Sequence, residues 1–191
     1  FYPAMLILMK LLVPEQQAIY EAIYDERIAA KRLTQALESA GQKGSAEHTT
    51  ASTESDGGKI VANGGYGKLW SKYSILLNPV AGVATTINGQ LSLLMLIERL
   101  HMGGVRTLSA NTDGIVTSCP PHLRYYRDSV MAWWEQTTGL QLEHKQYRLL
   151  AQRDVNSYVA VDSKGGIKRK GVFAESGVLS GMQGIHPDRD I

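Results

Sequence analysis

Residues 79–102 (PVAGVATTINGQLSLLMLIERLHM) narrow the possible folds most. The stretch is long and mostly apolar, carrying Val80, Val83, Leu91, Leu93, Leu94, Leu96, Ile97 and Leu100. It runs into Gly103-Gly104, a pair that ends helices. A helix this rich in apolar side chains is expected to be the main core helix of whatever forms around it. The 191 residues available fit one large domain or two small ones. With 43% hydrophobic and 20% charged residues, the chain has a globular composition. No run reaches the roughly 18 apolar residues of a membrane span, and the longest, residues 4–12, is interrupted by Lys10 and stopped by Pro14. No membrane partner is expected. Cys119 is the lone cysteine, which excludes an intrachain disulfide and suits a reducing compartment. A net charge of +2 leaves a nucleic-acid partner open. The chain opens on Phe-Tyr-Pro, with neither an initiator Met nor a leader, and reads as a piece of something longer.

Around that helix the pattern alternates between helical and extended segments. Residues 1–13 are apolar and predict a buried strand or a short core helix. Residues 14–40 predict one helix, with Pro14 and Glu15 suited to its first turn and Ala18, Ala22, Ala29, Leu33, Ala36 and Leu37 giving a partial apolar stripe. Residues 41–58 are Gly, Ser, Thr and charged residues and predict a loop, the most mobile part of the chain, although part could extend a neighbouring helix. Residues 59–70 begin helically and break at the glycines, and residues 71–78 suggest a short strand. Residues 105–117 read as strand, turn, strand. Residues 121–137 predict an amphipathic helix whose Tyr125, Met131, Trp133 and Trp134 serve a core or an interface. Residues 140–174 alternate well enough for three strands, with residues 162–166 as a hairpin turn. The expected class is α+β with antiparallel pairing.

Four constellations could carry chemistry, and each has two readings on its residues alone. Asn111-Thr112-Asp113-Gly114 is either an ordinary turn or a fixed, exposed carboxylate suited to a hard cation, since Mg²⁺ takes few protein carboxylates. Arg27 and Lys31, at i and i+4 beside Arg32, form either a solvated basic face or an anion site. Lys59, Asn63 and Tyr66 share one helical face. They are either incidental to a Gly-rich helix end or able to hold a phosphate, a polar edge and a flat base. The spacing of a P-loop is absent. Residues 145–170 hold seven basic side chains against Asp154 and Asp162, giving either a solubilising sheet face or a track for a phosphate backbone.

Taken together and in order, these segments resemble a family-B DNA polymerase, particularly the short phage and mobile-element type. The first polymerase motif, D-x-x-S-[LF]-Y-P, is represented by Phe1-Tyr2-Pro3. The second, K-x-x-x-N-[SG]-x-[YF]-G, is met by Lys59, Asn63, Gly64, Tyr66 and Gly67. The third, usually D-T-D-S, reads Asn111-Thr112-Asp113-Gly114. An Arg-x-x-x-Lys pair on the first fingers helix is met by Arg27 and Lys31. Asn156-Ser157-Tyr158 and Lys168-Arg169-Lys170-Gly171 resemble the region that grips the primer-template duplex. The resemblance covers residues 1 to about 175. It departs from the family at Asn111 and Gly114, both mild changes, and in the first-motif Asp, which would lie ahead of Phe1.

The resemblance implies a palm of antiparallel strands with packed helices and a two-helix fingers insertion. Residues 1–13 would begin the palm, 14–70 form the fingers, 71–175 return to the palm, and 176–191 begin a thumb or linker. It implies template-directed nucleotidyl transfer, in which a primer 3′-hydroxyl attacks the α-phosphorus of a dNTP and pyrophosphate leaves. Two Mg²⁺ ions roughly 3.5–4 Å apart would serve that step. Asp113 would be a metal ligand, with one shared ligand missing. Asp113, Thr112 and Lys59 would be the catalytic residues. Tyr2, Arg27, Lys31, Lys59, Asn63, Gly64 and Tyr66 would receive the dNTP, with Tyr2 rejecting a 2′-hydroxyl. Tyr158, Lys168, Arg169 and Lys170 would hold DNA. The implied partners are primer-template DNA and the rest of the polymerase chain (exonuclease and thumb). The implied setting is the cytoplasm of a bacterial host. The 191 residues alone are expected not to extend primers. A degenerate palm that binds DNA without metals is the contrasting reading.

Overall fold

The computed structural model describes residues 1–174 and has a mixed α+β architecture. Four helices come first: α1 (Tyr2–Leu8), α2 (Pro14–Ser39), α3 (Ala46–Lys68) and α4 (Pro79–Met102). The antiparallel hairpin of β1 (Arg106–Ala110) and β2 (Ile115–Ser118) follows, then α5 (Arg124–Thr138). An antiparallel sheet of β3 (Tyr147–Asp154), β4 (Ser157–Asp162) and β5 (Ile167–Lys170) closes the described chain. The expected α+β class and antiparallel pairing are both present. The strands form two small sheets rather than one continuous palm sheet. A hydrogen bond from Gln152 Nε2 to Ser109 Oγ, 2.9 Å long, links them.

The core lies between α1, α4 and α5. Met5, Leu93, Leu96, Leu100, Val105, Val130, Trp134 and Leu140 pack together, and Trp134 Nε1 donates to the Ser92 carbonyl at 2.6 Å. A second cluster, Leu6, Tyr20, Leu69 and Ala81, ties α1 to the bases of α2 and α3. Only one face of α4 is core. Leu93, Leu96 and Leu100 are buried, whereas Val80 is 78% exposed and Val83, Leu91 and Leu94 are about half exposed or more. By length and composition alone α4 is also long and apolar enough to cross a membrane, with mean hydropathy 1.6 over its best 18-residue window. Its uncharged stretch is broken by polar residues such as Thr85, Asn88 and Ser92, so no consecutive apolar run marks it.

The α2–α3 pair corrects three expectations. Residues 41–58 are not a loop throughout, because α3 starts at Ala46. Ser45 caps it by accepting from the His48 backbone N–H at 3.1 Å, and Glu47 sits in its first turn. The polar composition of this segment belongs to a solvent-facing helix side. Nor does the helix break at its glycines, since α3 continues through Gly64, Gly65 and Gly67 to Lys68. Two α3 glycines are seats for α2. A Cβ on Gly58 would stand 2.8 Å from Arg27 Cβ, and one on Gly65 would stand 2.5 Å from the Tyr20 ring. These contacts, with Glu38 against His48 near the tip, define an antiparallel helical hairpin. The packed face of α2 is accordingly Gln17, Tyr20, Ala30 and Leu37, with Arg27 partly buried; the alanines Ala18, Ala22, Ala29 and Ala36 and Leu33 face outward.

Residues 71–78 are turns rather than a strand. Ser74 Oγ accepts from the Leu76 N–H at 3.0 Å, and Asn78 Oδ1 accepts from Ala81 N at 3.0 Å, capping α4. Local side-chain bonds thus satisfy a backbone that its apolar content alone would place in a sheet. Tyr125, expected in a core or interface with its neighbours on α5, is 88% exposed, whereas Trp134 is buried.

Candidate active site

The β1–β2 tip is built by its own polar residues. Asn111 N donates to the Gly114 carbonyl at 2.9 Å, and Asn111 Oδ1 accepts from Asp113 N at 3.1 Å. The turn therefore uses the Asn111 side chain and the Asp113 backbone. The Asp113 carboxylate is left exposed, and among the described residues it joins no hydrogen bond or ion pair. An exposed carboxylate of this kind is open to a cation or to solvent.

Three distant segments meet beside it. Phe1 lies on Gly89 of α4, where a Cβ would come within 2.7 Å of its ring. Tyr2 stacks on Tyr66 of α3, with ring centroids 4.9 Å apart and planes 17° apart. The Tyr66 hydroxyl is 2.7 Å from Thr86 Oγ1 on α4. Burial raises the Tyr2 phenol above its ordinary pKa, and Tyr66 and Asp113 push it the same way. Burial lowers the Phe1 amino group, with Asp113 opposing that shift and Arg27 and Lys31 adding to it. Phe1 and Tyr2 thus stand within electrostatic reach of Asp113, and Phe1 also of the cations of α2.

Those cations form a cluster. Desolvation lowers the Lys31 ammonium below its usual pKa, followed by repulsion from Arg27, Lys145 and Lys59. Arg27 Nε is buried and, among the described residues, has no hydrogen-bond partner. Lys31 Nζ pairs with Glu143, in the segment between α5 and β3. An orphaned guanidinium nitrogen and crowded ammonium groups make a basin short of negative charge.

Of the residues expected at the site, the fold brings Tyr2, Arg27, Lys31, Lys59, Tyr66 and Asp113 into one electrostatic neighbourhood. Asn63 and Gly64 are exposed along the helix from Lys59, and a Cβ on Gly64 would meet nothing within 4 Å. Thr112 is exposed at the hairpin tip. The proposed DNA residues sit apart on the three-stranded sheet. Tyr158 pairs with Lys170 and Ala160 with Lys168 across β4 and β5, which puts both lysines on the Tyr158 face. Their ammonium groups lie 6.0 Å (Lys168) and 5.9 Å (Lys170) from the Tyr158 ring centre. Arg169, opposite Val159, alternates to the other face, so the basic run is split between two surfaces. Lys145 and Glu143 were not expected in the cation cluster. No local pattern marks them, because only the path of the 139–146 segment brings them to α2.

Asp113 is the one carboxylate of the expected site that could take part in holding a hard cation. Among the described residues no three His, Cys, Asp or Glu side chains gather at one point. Asp113 can supply one carboxylate, with phosphate oxygens and water completing an octahedron. It does not by itself form a two-ion cage.

The chain matches no protein-family model, and no curated protein matches it.

Proposed function

We propose that the chain is the palm and fingers part of a template-directed DNA polymerase. The observation that carries the reading is the stack of Tyr2 on Tyr66 beside Arg27 seated on Gly58, next to Lys59, with Asp113 within electrostatic reach of Tyr2 and Arg27 and Lys59 within reach of Lys31. A metal-bound triphosphate has the matching polarity. Mg²⁺, when bound at Asp113, would neutralise charge on the phosphates. The chain's own residues would do the positioning. Arg27, Lys31 and Lys59 would receive the phosphate oxygens in charge-assisted hydrogen bonds. Tyr2, braced by Tyr66, would lie against the sugar and reject a 2′-hydroxyl. Asn63 and Gly64 would face the nascent base pair from an open helix surface. Positioning and electrostatics are most of what such a reaction asks of a protein.

The α2–α3 hairpin corresponds in this reading to the fingers and the β1–β2 hairpin to the metal-binding turn of the palm. Tyr158, Lys168 and Lys170 would follow the duplex backbone. The decisive experiment is Mg²⁺-dependent primer extension once an aspartate-bearing strand is joined ahead of Phe1. Extension that Asp113→Asn abolishes supports the reading, and extension indifferent to Asp113 overturns it. The second reading, a non-catalytic DNA-binding palm remnant, is favoured by Asp113 having no partner carboxylate among the described residues. It is distinguished by duplex binding that survives Asp113→Ala and ignores dNTP.

A further inference from the structure

The cation cluster is not left bare. Glu143 reaches it from the segment between α5 and β3 and pairs with Lys31, whose ammonium is disfavoured first by desolvation and then by repulsion from Arg27, Lys145 and Lys59. Lys31 and Glu143 are 112 residues apart, so the pair bridges the helical hairpin to the half of the chain that carries the sheets. Both partners keep solvent access, at 33% and 56% of their side-chain surface, so an incoming solute can reach them. Arg27 Nε, by contrast, is buried and has no hydrogen-bond partner among the described residues, so the one carboxylate there does not saturate the cluster.

We propose that Glu143 is a resident counter-ion that a polyphosphate must displace from Lys31, and that it thereby sets the threshold affinity of the site. The inference rests on the triphosphate reading of the cluster. The exchange is one of ion pairs only, with no bond made or broken. Lys31 leaves a single carboxylate and joins phosphate oxygens that can also reach Arg27, Lys59 and Lys145. A ligand with several negative charges regains more than the displaced pair supplied, whereas one with a single charge does not. When Glu143 is released, the hairpin loses a tie to the 139–146 segment, so ligand entry and freedom of the hairpin become linked.

The test is calorimetric titration of inorganic tripolyphosphate into the full 191-residue chain and its variants. Glu143→Gln should bind about three- to five-fold more tightly, the size expected for a half-exposed ion pair. Glu143→Asp, which keeps the charge, should return toward the parent value. In a Lys31→Gln background the Glu143→Gln gain should shrink to less than about two-fold, since the coupling runs through Lys31. An unchanged or weaker affinity for Glu143→Gln overturns the proposal. A full gain that persists without Lys31 also overturns it, because Glu143 would then be only a distant repelling charge. A second measurement uses the unmodified chain. Zero-length carbodiimide coupling should join Lys31 to Glu143, and tripolyphosphate should suppress that product several-fold more than sodium chloride of equal ionic strength. A coupling yield that tripolyphosphate leaves unaltered is a further refutation. If the unmodified chain binds neither tripolyphosphate nor Mg²⁺-dNTP, the triphosphate reading falls with the proposal. If it binds tripolyphosphate and Glu143→Gln changes nothing, only the role of Glu143 falls.

Discussion

The ring of Tyr2 lies nearly parallel to that of Tyr66, 4.9 Å away, and joins the first helix to the end of the third. Tyr66 is held in turn by the Thr86 hydroxyl at 2.7 Å. Tyr66→Phe keeps the stack and loses the hydroxyl contact, at a cost of about 0.5–1.5 kcal/mol. Tyr66→Ala loses both and should cost about 2–3 kcal/mol, less than a fully buried aromatic. Each kcal/mol lowers the melting temperature by about 2–4 °C in a chain of this size, which calorimetry would resolve. A Tyr66→Ala protein as stable as the parent would mean that the stack carries no load.

The α3 glycines should divide by what faces them. Gly58→Ala and Gly65→Ala place a methyl into Arg27 and Tyr20 and should destabilise by about 1–3 kcal/mol despite better helix propensity. Gly57→Ala and Gly64→Ala meet nothing within 4 Å and should stabilise by up to about 1 kcal/mol. Urea unfolding of the four variants checks the split.

Alkaline pH should loosen the hairpin. The Tyr20 hydroxyl donates to the Ala62 carbonyl, and burial raises its pKa well above the ordinary value of 10.0, with a smaller push from Tyr24. The folded chain then holds this proton more tightly than the unfolded one. The stability it contributes is complete below the unfolded pKa near 10 and is lost as pH rises above it. Tyr20→Phe should flatten the fall in unfolding free energy between about pH 9 and 11. Burial also raises Tyr24, so part of the fall should remain.

Asp113→Asn should leave thermal stability within about 0.5 kcal/mol of the parent, because the side chain is exposed and takes no part in the turn's hydrogen bonds. The same variant should lose the Mg²⁺-dependent part of dNTP binding in a titration with and without the ion. Retention of that part would remove Asp113 from the metal site.

On the three-stranded sheet, Lys168→Ala and Lys170→Ala should each weaken duplex binding uniformly across sequences. Each should reduce the slope of log affinity against log salt by about 1. Arg169→Ala, whose side chain alternates to the other face, should leave the slope nearly unchanged if the Tyr158 face is the one that meets DNA.

The hairpins were legible in the sequence because their turn residues are local. Asn111–Gly114 and Asp162–Gly166 close by side-chain and backbone bonds within a few residues. The full length of α3 was not legible. Its glycines look like helix breakers until Tyr20 and Arg27 are seen to occupy the space a side chain would take. The packed face of α2 is hidden for the same reason, since without α3 as its partner nothing in the sequence sets Gln17, Tyr20 and Ala30 apart from the outward alanines. In the candidate site, the motif residues could be picked out one by one. The Lys31–Glu143 pair could not, because a contact between residues 112 apart depends on the path of the whole chain.

Seating α2 in α3 along its length makes the pair a stiff beam, anchored at its base and tied further along by Lys31 to Glu143. Its 26-residue helix is about 39 Å long. Arg27 and Lys31 lie roughly 20–25 Å along it from Pro14, at 1.5 Å per residue. A rotation of about 10° at the base would sweep those two cations through roughly 4 Å, the span between a made and a broken ion pair. Small repacking around Leu6, Tyr20 and Leu69 is therefore geared up into the difference between keeping and losing the Lys31–Glu143 pair.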